Sequence, residues 1–506
     1  MTSKDILLIL LTSFALIFSF PPFPTGFLAL VAFIPFFFYA EGKNLKELFR
    51  DGYLIGLIWS AGTIFWIGHA TIIGVIGAII WVAFYFAFFS LLYGWVSKKI
   101  GQAAVWTAPF IWVSLELLSS VGPMAFPWNS LANTQTYYPI FIQYISITGM
   151  YGITVWIVFF NVISYILIKN LKCKKNVILC TSLIIILIGL PLLYNLFISR
   201  KELNGKEKVK ISLIQGNIDP YKKWTSGFIN ENFYIYRDLT LEASRTSPDL
   251  IVWPETAAPC YLRSHNYYRN FMFNLVNNIT IPILTGTIDY DRRDTDEIRR
   301  YNSVFLFKPD RDTIESYNKI HLVPFSERVP FVDKFPFLYN LAKIDLNIGD
   351  YFPGDSTTVF KMWNKKDSSW VKFSAGICYD SVFPYLNRRF VRNGAQFIII
   401  ITNDGWFGSL SGPYQHAQIA VLRAIENRVW VIRCANTGIS EFIDPFGRII
   451  KKTELSERTI LTQSIYVSDN NTFFSTHGYY FIYLILLFDL FILIVIFIRK
   501  KIYKDS

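Results

Sequence analysis

The sequence predicts a polytopic membrane protein in which an α/β domain is inserted between membrane-spanning helices. Three observations carry that expectation. The 506 residues are 52% hydrophobic and only 17% charged, whereas soluble domains carry about a quarter charged residues. The apolar residues are unevenly spread. Between Gly52 and Ile168 the only Lys or Arg residues are Lys98 and Lys99, while from Arg200 to Asn471 charges return at soluble density. Within that second region short β-rich runs alternate with helical stretches, as in a layered α/β domain. The expected organisation is a seven-span bundle over 1–198, a water-facing domain over 199–470, and a closing span and tail over 471–506.

A spanning helix needs about 20 mostly apolar residues. Candidate spans run over 5–20, 24–40, 53–72, 74–96, 103–120, 148–168, 177–198 and 479–498. The first is not read as a signal peptide: it ends in Phe20-Pro21-Pro22-Phe23-Pro24 without a small-x-small cleavage site, and further spans follow. Loop charges set the orientation. With Lys4 in the cytoplasm, the loops on that side hold Lys43, Lys46 and Arg50; Lys98 and Lys99; and Lys169, Lys172, Lys174 and Lys175. The tail adds Arg499, Lys500, Lys501 and Lys504, whereas the opposite loops near 21–23, 73 and 121–147 hold no Lys or Arg. Both termini are therefore expected in the cytoplasm and residues 199–478 outside it. Arg200 and Lys201 break the rule, which long translocated domains tolerate.

His69 and Glu116 are ionisable groups within or beside spans, and such groups are functional candidates. The plainer reading puts each near a helix end or in a hydrogen bond within the bundle. Met124-Ala125-Phe126-Pro127-Trp128-Asn129 reads as a broken or re-entrant loop at the outer interface, with Trp128 as its anchor.

The net charge is +12, from 49 Lys+Arg against 37 Asp+Glu. The basic residues sit at the ends of hydrophobic runs rather than in a patch with interleaved aromatics, which argues against a nucleic-acid partner. Cys173, Cys180, Cys260, Cys378 and Cys434 are odd in number and widely spaced, so they form neither a disulfide framework nor a metal cluster. No zinc spacing and no Gly-rich phosphate loop is present. No metal and no cofactor is expected.

In the water-facing domain, strands are expected at Lys210–Gln215, Leu250–Trp253, Ile281–Thr285, Ser303–Phe307, Val371–Ile377, Phe397–Thr402 and Val429–Arg433. Helices are expected at Asn232–Ser244 and Tyr414–Asn427. The unbroken run Phe397-Ile398-Ile399-Ile400-Ile401 suits a strand buried on both faces.

Three local patterns carry chemistry. One strand ends in Trp253-Pro254-Glu255-Thr256, a second segment reads Tyr317-Asn318-Lys319-Ile320-His321 and continues to Glu327, and another strand ends in Gly376-Ile377-Cys378-Tyr379-Asp380. A thiol nucleophile needs a base and a cation or donor for the oxyanion. Glu255 suits the base, Lys319 the electrostatic partner, Cys378 the nucleophile, and the backbone N–H of Tyr379 an oxyanion donor. Each has a bland alternative: Cys378 as a small buried hydrophobe, Glu255 as a helix N-terminal residue, Lys319 as a solvated surface charge. Cys260 and Cys434 lack comparable surroundings. His321 is read as orienting the loop beside Lys319, and His416 as capping or solvating a helix.

At these residues the chain resembles the nitrilase, or carbon–nitrogen hydrolase, superfamily, whose signature is a Glu, a Lys and a Cys in this order. With the surrounding spans it is similar to the bacterial apolipoprotein N-acyltransferase family. The resemblance includes Leu213-Ile214-Gln215-Gly216-Asn217, Lys223-Trp224, Asn403-Asp404-Gly405-Trp406-Phe407-Gly408 and Gln415-His416, and it covers nearly the whole chain. It implies an αββα nitrilase-like sandwich outside the bacterial cytoplasmic (inner) membrane, standing on about eight helices. It implies Glu255 as general base, Lys319 as stabiliser of the tetrahedral intermediate, and Cys378 as the thioester-forming nucleophile. Glu327 matches a second, supporting glutamate, and Trp224 and Tyr379 match residues needed for activity. Asp380 stands where the family commonly has Glu, and Ser326 where Gly is common.

The implied reaction is ping-pong. The sn-1 acyl chain of a phospholipid, with phosphatidylethanolamine as the expected donor, passes through a Cys378 thioester to the free amine of diacylglyceryl-cysteine on an apolipoprotein. Phe331 to Phe352, with Phe331, Phe335, Phe337, Leu338 and Tyr339 near Pro330 and Pro336, is read as a mobile arm facing the bilayer. Two rival readings fit the sequence less well. A membrane-anchored amidase or nitrile hydrolase would need only one span, and a transporter with an exported domain would be expected to show repeated halves and several intramembrane charges.

Overall fold

Side chains at the helix starts explain where the first helices begin. Thr2 and Asp5 form a reciprocal capping box (3.2 and 2.8 Å) at the head of Ser3–Ser19. Asn44 and Glu47 repeat it at the head of Leu45–Ile64, with both bonds at 3.0 Å. The computed structural model describes residues 1–199, 207–225, 227–292, 298–338, 350–364, 367–467 and 471–502. The chain divides into two units, Met1–Arg200 with His477–Ser506, and Lys201–Thr476.

Among the described residues of the first unit four helical segments are long and apolar enough to cross a membrane: Ile72–Ser119, Tyr151–Lys169, Lys174–Ser199 and Tyr480–Ile498. The eight expected spans are therefore not matched one for one. The expected span 24–40 is a 3-10 turn, Gly26–Leu30, followed by a seven-residue helix, Ile34–Ala40. Pro24 and Pro35 lack backbone donors, and Asn161 fills the break. Its Oδ1 accepts Phe33 N–H and its Nδ2 donates to Ala29 O, both at 2.8 Å. In hydrocarbon such backbone groups have no other partner. The expected span 53–72 starts earlier, at Leu45, and gives way to a 3-10 turn at Phe65–His69. Lys174–Ser199 buries only Cys180 and Pro191, as suits a helix bathed in lipid.

Glu116 follows the plainer reading. Its carboxylate accepts from Trp112 Nε1 (2.9 Å), Leu131 N, Ser130 Oγ and Thr154 Oγ1 (2.8 Å each), tying three segments together. His69 is exposed at the end of its 3-10 turn. The loop at 124–129 is indeed broken, but Trp128 is not a surface anchor. It is 3% exposed, with its ring 5.0 Å from that of Trp66. An apolar partner inside the unit outcompetes an interfacial position for the indole.

Among its described residues the second unit has thirteen strands: β1 (Glu207–Gln215), β2 (Leu250–Val252), β3 (Ala258–Tyr261), β4 (Ile283–Asp291), β5 (Arg299–Phe307), β6 (Glu315–Asn318), β7 (Phe360–Asn364), β8 (Ser369–Ile377), β9 (Phe397–Thr402), β10 (Trp430–Ala435), β11 (Glu441–Ile443), β12 (Ile449–Lys452) and β13 (Thr459–Val467). One sheet runs β13-β1-β2-β4-β5-β6 with β3 beside β4; the other runs β12-β11-β10-β9-β8-β7. β9 is parallel to both neighbours, Phe397 lying opposite Phe373 and Trp430, and every residue of it is buried. That is why it reads as an unbroken apolar run. Cys434 Sγ of β10 lies 3.3 Å from Val252 O and 3.7 Å from Ile214 O, so the two sheets face each other. Helices Ile229–Ser244 and Asn266–Ile279 cover the first sheet, and Pro384–Arg392 and Ser411–Asn427 the second. The layers are α-β-β-α, the sandwich that the resemblance implies.

Candidate active site

In each sheet the central parallel strands end on one side, where α/β proteins place their chemistry. β2 delivers Glu255. After Val252 the chain is held by Trp253 N–H donating to Leu284 O (2.8 Å) and Gly286 N–H donating to Pro254 O (3.2 Å). A Cβ at Gly286 would lie 2.5 Å from Thr256 N and 2.7 Å from Glu255 Cα, so only glycine lets β4 pass this close. The Glu255 carboxylate accepts Asn302 Nδ2–H at Oε1 (2.8 Å) and Asn403 N–H at Oε2 (2.9 Å).

β6 delivers Lys319, which is 1% exposed and so no solvated surface charge. Its Nζ donates to Glu327 Oε1 (2.9 Å), lies 2.8 Å from Glu327 Oε2, and is 3.8 Å from Glu255 Oε1. Glu327 also accepts from Val323 N (2.8 Å) and from Asn302 Nδ2 (3.0 Å), so one asparagine amide bridges the two glutamates. β8 delivers Cys378, buried at the head of the 3-10 turn Cys378–Val382 with a left-handed backbone, φ +48°.

The three candidates thus share one buried cluster, and their titration reflects it. Burial raises Glu255, an effect that Lys319 opposes and Glu327 reinforces. Burial also raises the Cys378 thiol, with Glu255 adding to the rise and Lys319 opposing it. Burial pulls Lys319 down, but Glu327, Cys378 and Glu255 outweigh it and hold the ammonium well above its ordinary value. The site keeps a permanent cation beside a protonated thiol and a carboxylate made more basic than usual.

Asp380 is a brace. Its Oδ2 accepts from Tyr317 Oη (2.8 Å) and Ile377 N (3.1 Å), and its Oδ1 accepts from His321 N (2.9 Å). It therefore ties the Lys319 loop to the Cys378 turn, and the shorter aspartate suffices. His321 serves that loop as expected, its ring stacked on Phe383 at 3.8 Å and bonded to Tyr385 Oη. Tyr379 is buried with its ring edge-on to Phe383 (5.1 Å), while Trp224 is 40% exposed at the end of the 3-10 turn Lys222–Trp224. Cys260 and Cys434 are buried, as expected of structural thiols.

His416 departs from expectation. It neither caps nor solvates its helix but lies fully buried, bonded to Asp404 and beside Cys378 O. Two further residues were not anticipated. Asn302 is one; the polar pair Asn302-Ser303 inside an apolar strand was its only signal. Lys223 is the other, 2% exposed, its ammonium bonded to Thr256 Oγ1 and 3.4 Å from Thr256 O. Burial lowers it to about 8, against the opposing charge of Glu255. The resemblance includes the pair Lys223-Trp224, but no local pattern shows which of the adjacent lysines, Lys222 or Lys223, is buried.

Comparison with known proteins adds two family matches. Residues 210–470 match the model described as carbon-nitrogen hydrolase, and residues 12–163 the model described as apolipoprotein N-acyltransferase N-terminal domain. Several relatives bear the name apolipoprotein N-acyltransferase. That of Geobacter metallireducens is 32% identical over 489 residues, covering 94% of this chain and 92% of that protein. That of Chlorobaculum tepidum is 31% identical over 497 residues, covering 94% and 93%. Among solved structures, Saccharomyces cerevisiae Nit3, a member of the nitrilase superfamily, is 22% identical, covering 52% of this chain and 92% of that one with a TM-score of 0.38.

Proposed function

This chain belongs to the apolipoprotein N-acyltransferases, and on that premise we propose that it moves the sn-1 acyl chain of a phospholipid onto the free amine of diacylglyceryl-cysteine through a Cys378 thioester. The observation that carries the reading is the buried cluster of Glu255, Lys319 and Cys378, delivered from the ends of β2, β6 and β8.

Glu255 takes the thiol proton as Cys378 Sγ attacks the ester carbonyl. The S–C bond forms, Lys319 and the backbone N–H of Tyr379 hold the oxyanion, and the ester C–O bond breaks. Glu255 returns the proton to the leaving alkoxide, releasing lysophospholipid. The acceptor amine then attacks the thioester carbonyl and gives a proton to Glu255; the C–N bond forms, the C–S bond breaks, and Glu255 returns that proton to the Cys378 thiolate. A base raised by burial suits this work, because a stronger base takes a thiol proton more readily. Glu327 holds Lys319 in place, Asp380 joins the two loops, and Trp224 presents an exposed ring next to the buried Lys223.

Phosphatidylethanolamine is the proposed donor. The loop-charge parity supports a position on the outer face of the inner membrane with both termini in the cytoplasm. Both substrates then keep their chains in lipid, sparing about 0.8 kcal/mol for each methylene otherwise drawn into water. Phe331, Phe335 and Phe337 are exposed on the near part of the proposed arm, and suit contact with acyl chains. At its far base Phe352 N–H donates to Arg300 O (2.7 Å) and Tyr351 N–H to Glu327 O (3.1 Å). Tyr339 and residues 340–349 lie outside the described residues.

The test is mass spectrometry of the purified enzyme after exposure to labelled phosphatidylethanolamine. An acyl adduct on the Cys378 peptide, absent from Cys378→Ala, is expected. An adduct that persists in Cys378→Ala would overturn the assignment.

A further inference from the structure

The cluster on the other side of Cys378 has the spacing of a hydrolase triad. His416 Nδ1–H donates to Asp404 Oδ1 at 2.8 Å, and Nε2 lies 3.0 Å from Ser381 Oγ. Yet Asp404, His416 and Ser381 are all 0% exposed, so no substrate carbonyl reaches the serine. What it reaches is the main chain of the nucleophile. Cys378 O lies 2.8 Å from Ser381 Oγ and 3.1 Å from His416 Nε2. The Ser381 hydroxyl donates to the carbonyl or to the ring nitrogen, and in either arrangement it stays wedged between them.

The far end of the chain is fixed as firmly. Asp404 accepts from Arg433 Nη2 and from Thr402 Oγ1 (3.0 Å), and Arg433 Nε donates to Ile439 O (3.1 Å). A Cβ at Gly438 would lie 2.1 Å from Asp404 Oδ2, so the loop after β10 closes directly on the carboxylate. At the near end Cys378 holds a φ of +48°. A non-glycine residue keeps such a conformation only where its surroundings impose it.

We propose that Asp404, His416 and Ser381 form a positioning chain for the nucleophile. Ser381 reaches the Cys378 carbonyl, His416 Nε2 fixes the Ser381 hydroxyl, and Asp404 fixes His416, which holds the left-handed conformation in which the thiol faces Glu255 and Lys319. His416 is thus a positioning residue that never touches substrate. The inference rests on Cys378 being the nucleophile, as proposed above.

The test compares His416→Ala, His416→Gln and Ser381→Ala in the full-length enzyme in detergent, with Cys378→Ala as control. Two quantities are read: the rate at which iodoacetamide alkylates Cys378 without lipid, and kcat and KM for acyl transfer. His416→Ala is expected to slow alkylation and kcat about tenfold with KM nearly unchanged. His416→Gln, whose side-chain amide can still hydrogen-bond Ser381 Oγ as Nε2 does, recovers most of the loss, a rescue that simple cavity filling would not give. Equal loss in Ala and Gln variants, or wild-type behaviour in both, overturns the proposal. If His416→Ala does not fold, Ser381→Ala decides, because it removes one hydroxyl and little volume. Slowed alkylation supports the chain and an unchanged rate overturns it. Transfer that survives in Cys378→Ala instead strikes the nucleophile assignment, and the positioning role falls with it.

Discussion

Two clusters of buried charge flank Cys378, and the carboxylates at their centres are shifted in opposite directions. Asp404 and Glu255 are both buried, which raises a carboxyl. Asp404 nevertheless sits at about 2, because Arg433 and His416 both contact it directly and outweigh burial. Glu255 is left raised. Its cation, Lys319, stands 3.8 Å away and gives its close contacts to Glu327, which adds repulsion besides. The same ingredients therefore make a fixed ion in one cluster and a working base in the other. The placement of the cation, in direct contact in one cluster and 3.8 Å away in the other, separates them.

The strongest way to break this contrast is Glu255→Gln, which keeps the shape and removes the base. A loss of about 10²–10⁴-fold in kcat/KM for acyl transfer is expected, with little change in melting temperature. Activity within tenfold of wild type would move the base elsewhere. Lys319→Met should cost about 10²–10³-fold in turnover and, by leaving two buried carboxylates without their cation, about 3–5 kcal/mol of stability. Denaturation in detergent together with turnover of labelled phospholipid measures both losses.

Acid titration probes the other cluster. The folded pKa of Asp404 lies below its ordinary 3.8, so its stabilisation is complete above about pH 4 and disappears as pH falls toward about 2. About 2 kcal/mol should be lost across that window, and Asp404→Asn should flatten it while melting lower at neutral pH. The mildest effect is expected from Glu327→Gln. Removing that neighbouring charge lowers the Glu255 pKa, so the acid limb of the pH–rate profile moves to lower pH. A limb that stays put would show that Glu327 does not act on the base.

Legibility from the amino-acid order followed the kind of interaction involved. β9 was read with its bounds intact because Phe397–Ile401 is apolar throughout and admits no other placement. β6, Glu-Ser-Tyr-Asn, carries no such pattern and is a strand only because β5 pairs with it. The antiparallel ladder of β13 along β1, from Glu207 opposite Val467 to Gln215 opposite Thr459, joins residues about 250 positions apart and left no local trace. Glu255 and Cys378 were legible because apolar strands end in them. His416 and Lys223 were not, because their importance lies in burial and partners that only the folded chain creates. The span 24–40 was misjudged for a related reason. Composition reports apolarity, but the break is set by two prolines and by a distant asparagine, Asn161, that satisfies it.

The buried Lys223 beside Thr256 has a consequence for the whole catalytic cycle. With it, the cluster holds two glutamates, Glu255 and Glu327, against two ammonium groups, Lys319 and Lys223. When Glu255 takes the thiol proton, the negative charge only changes address, from carboxylate to sulfur and then to the oxyanion, and the sum stays constant. Isolated charge is very costly to create away from water, but here none is created. A site that keeps its electrical sum constant does not need a solvent shell to answer each step, and so can work on substrates steeped in hydrocarbon.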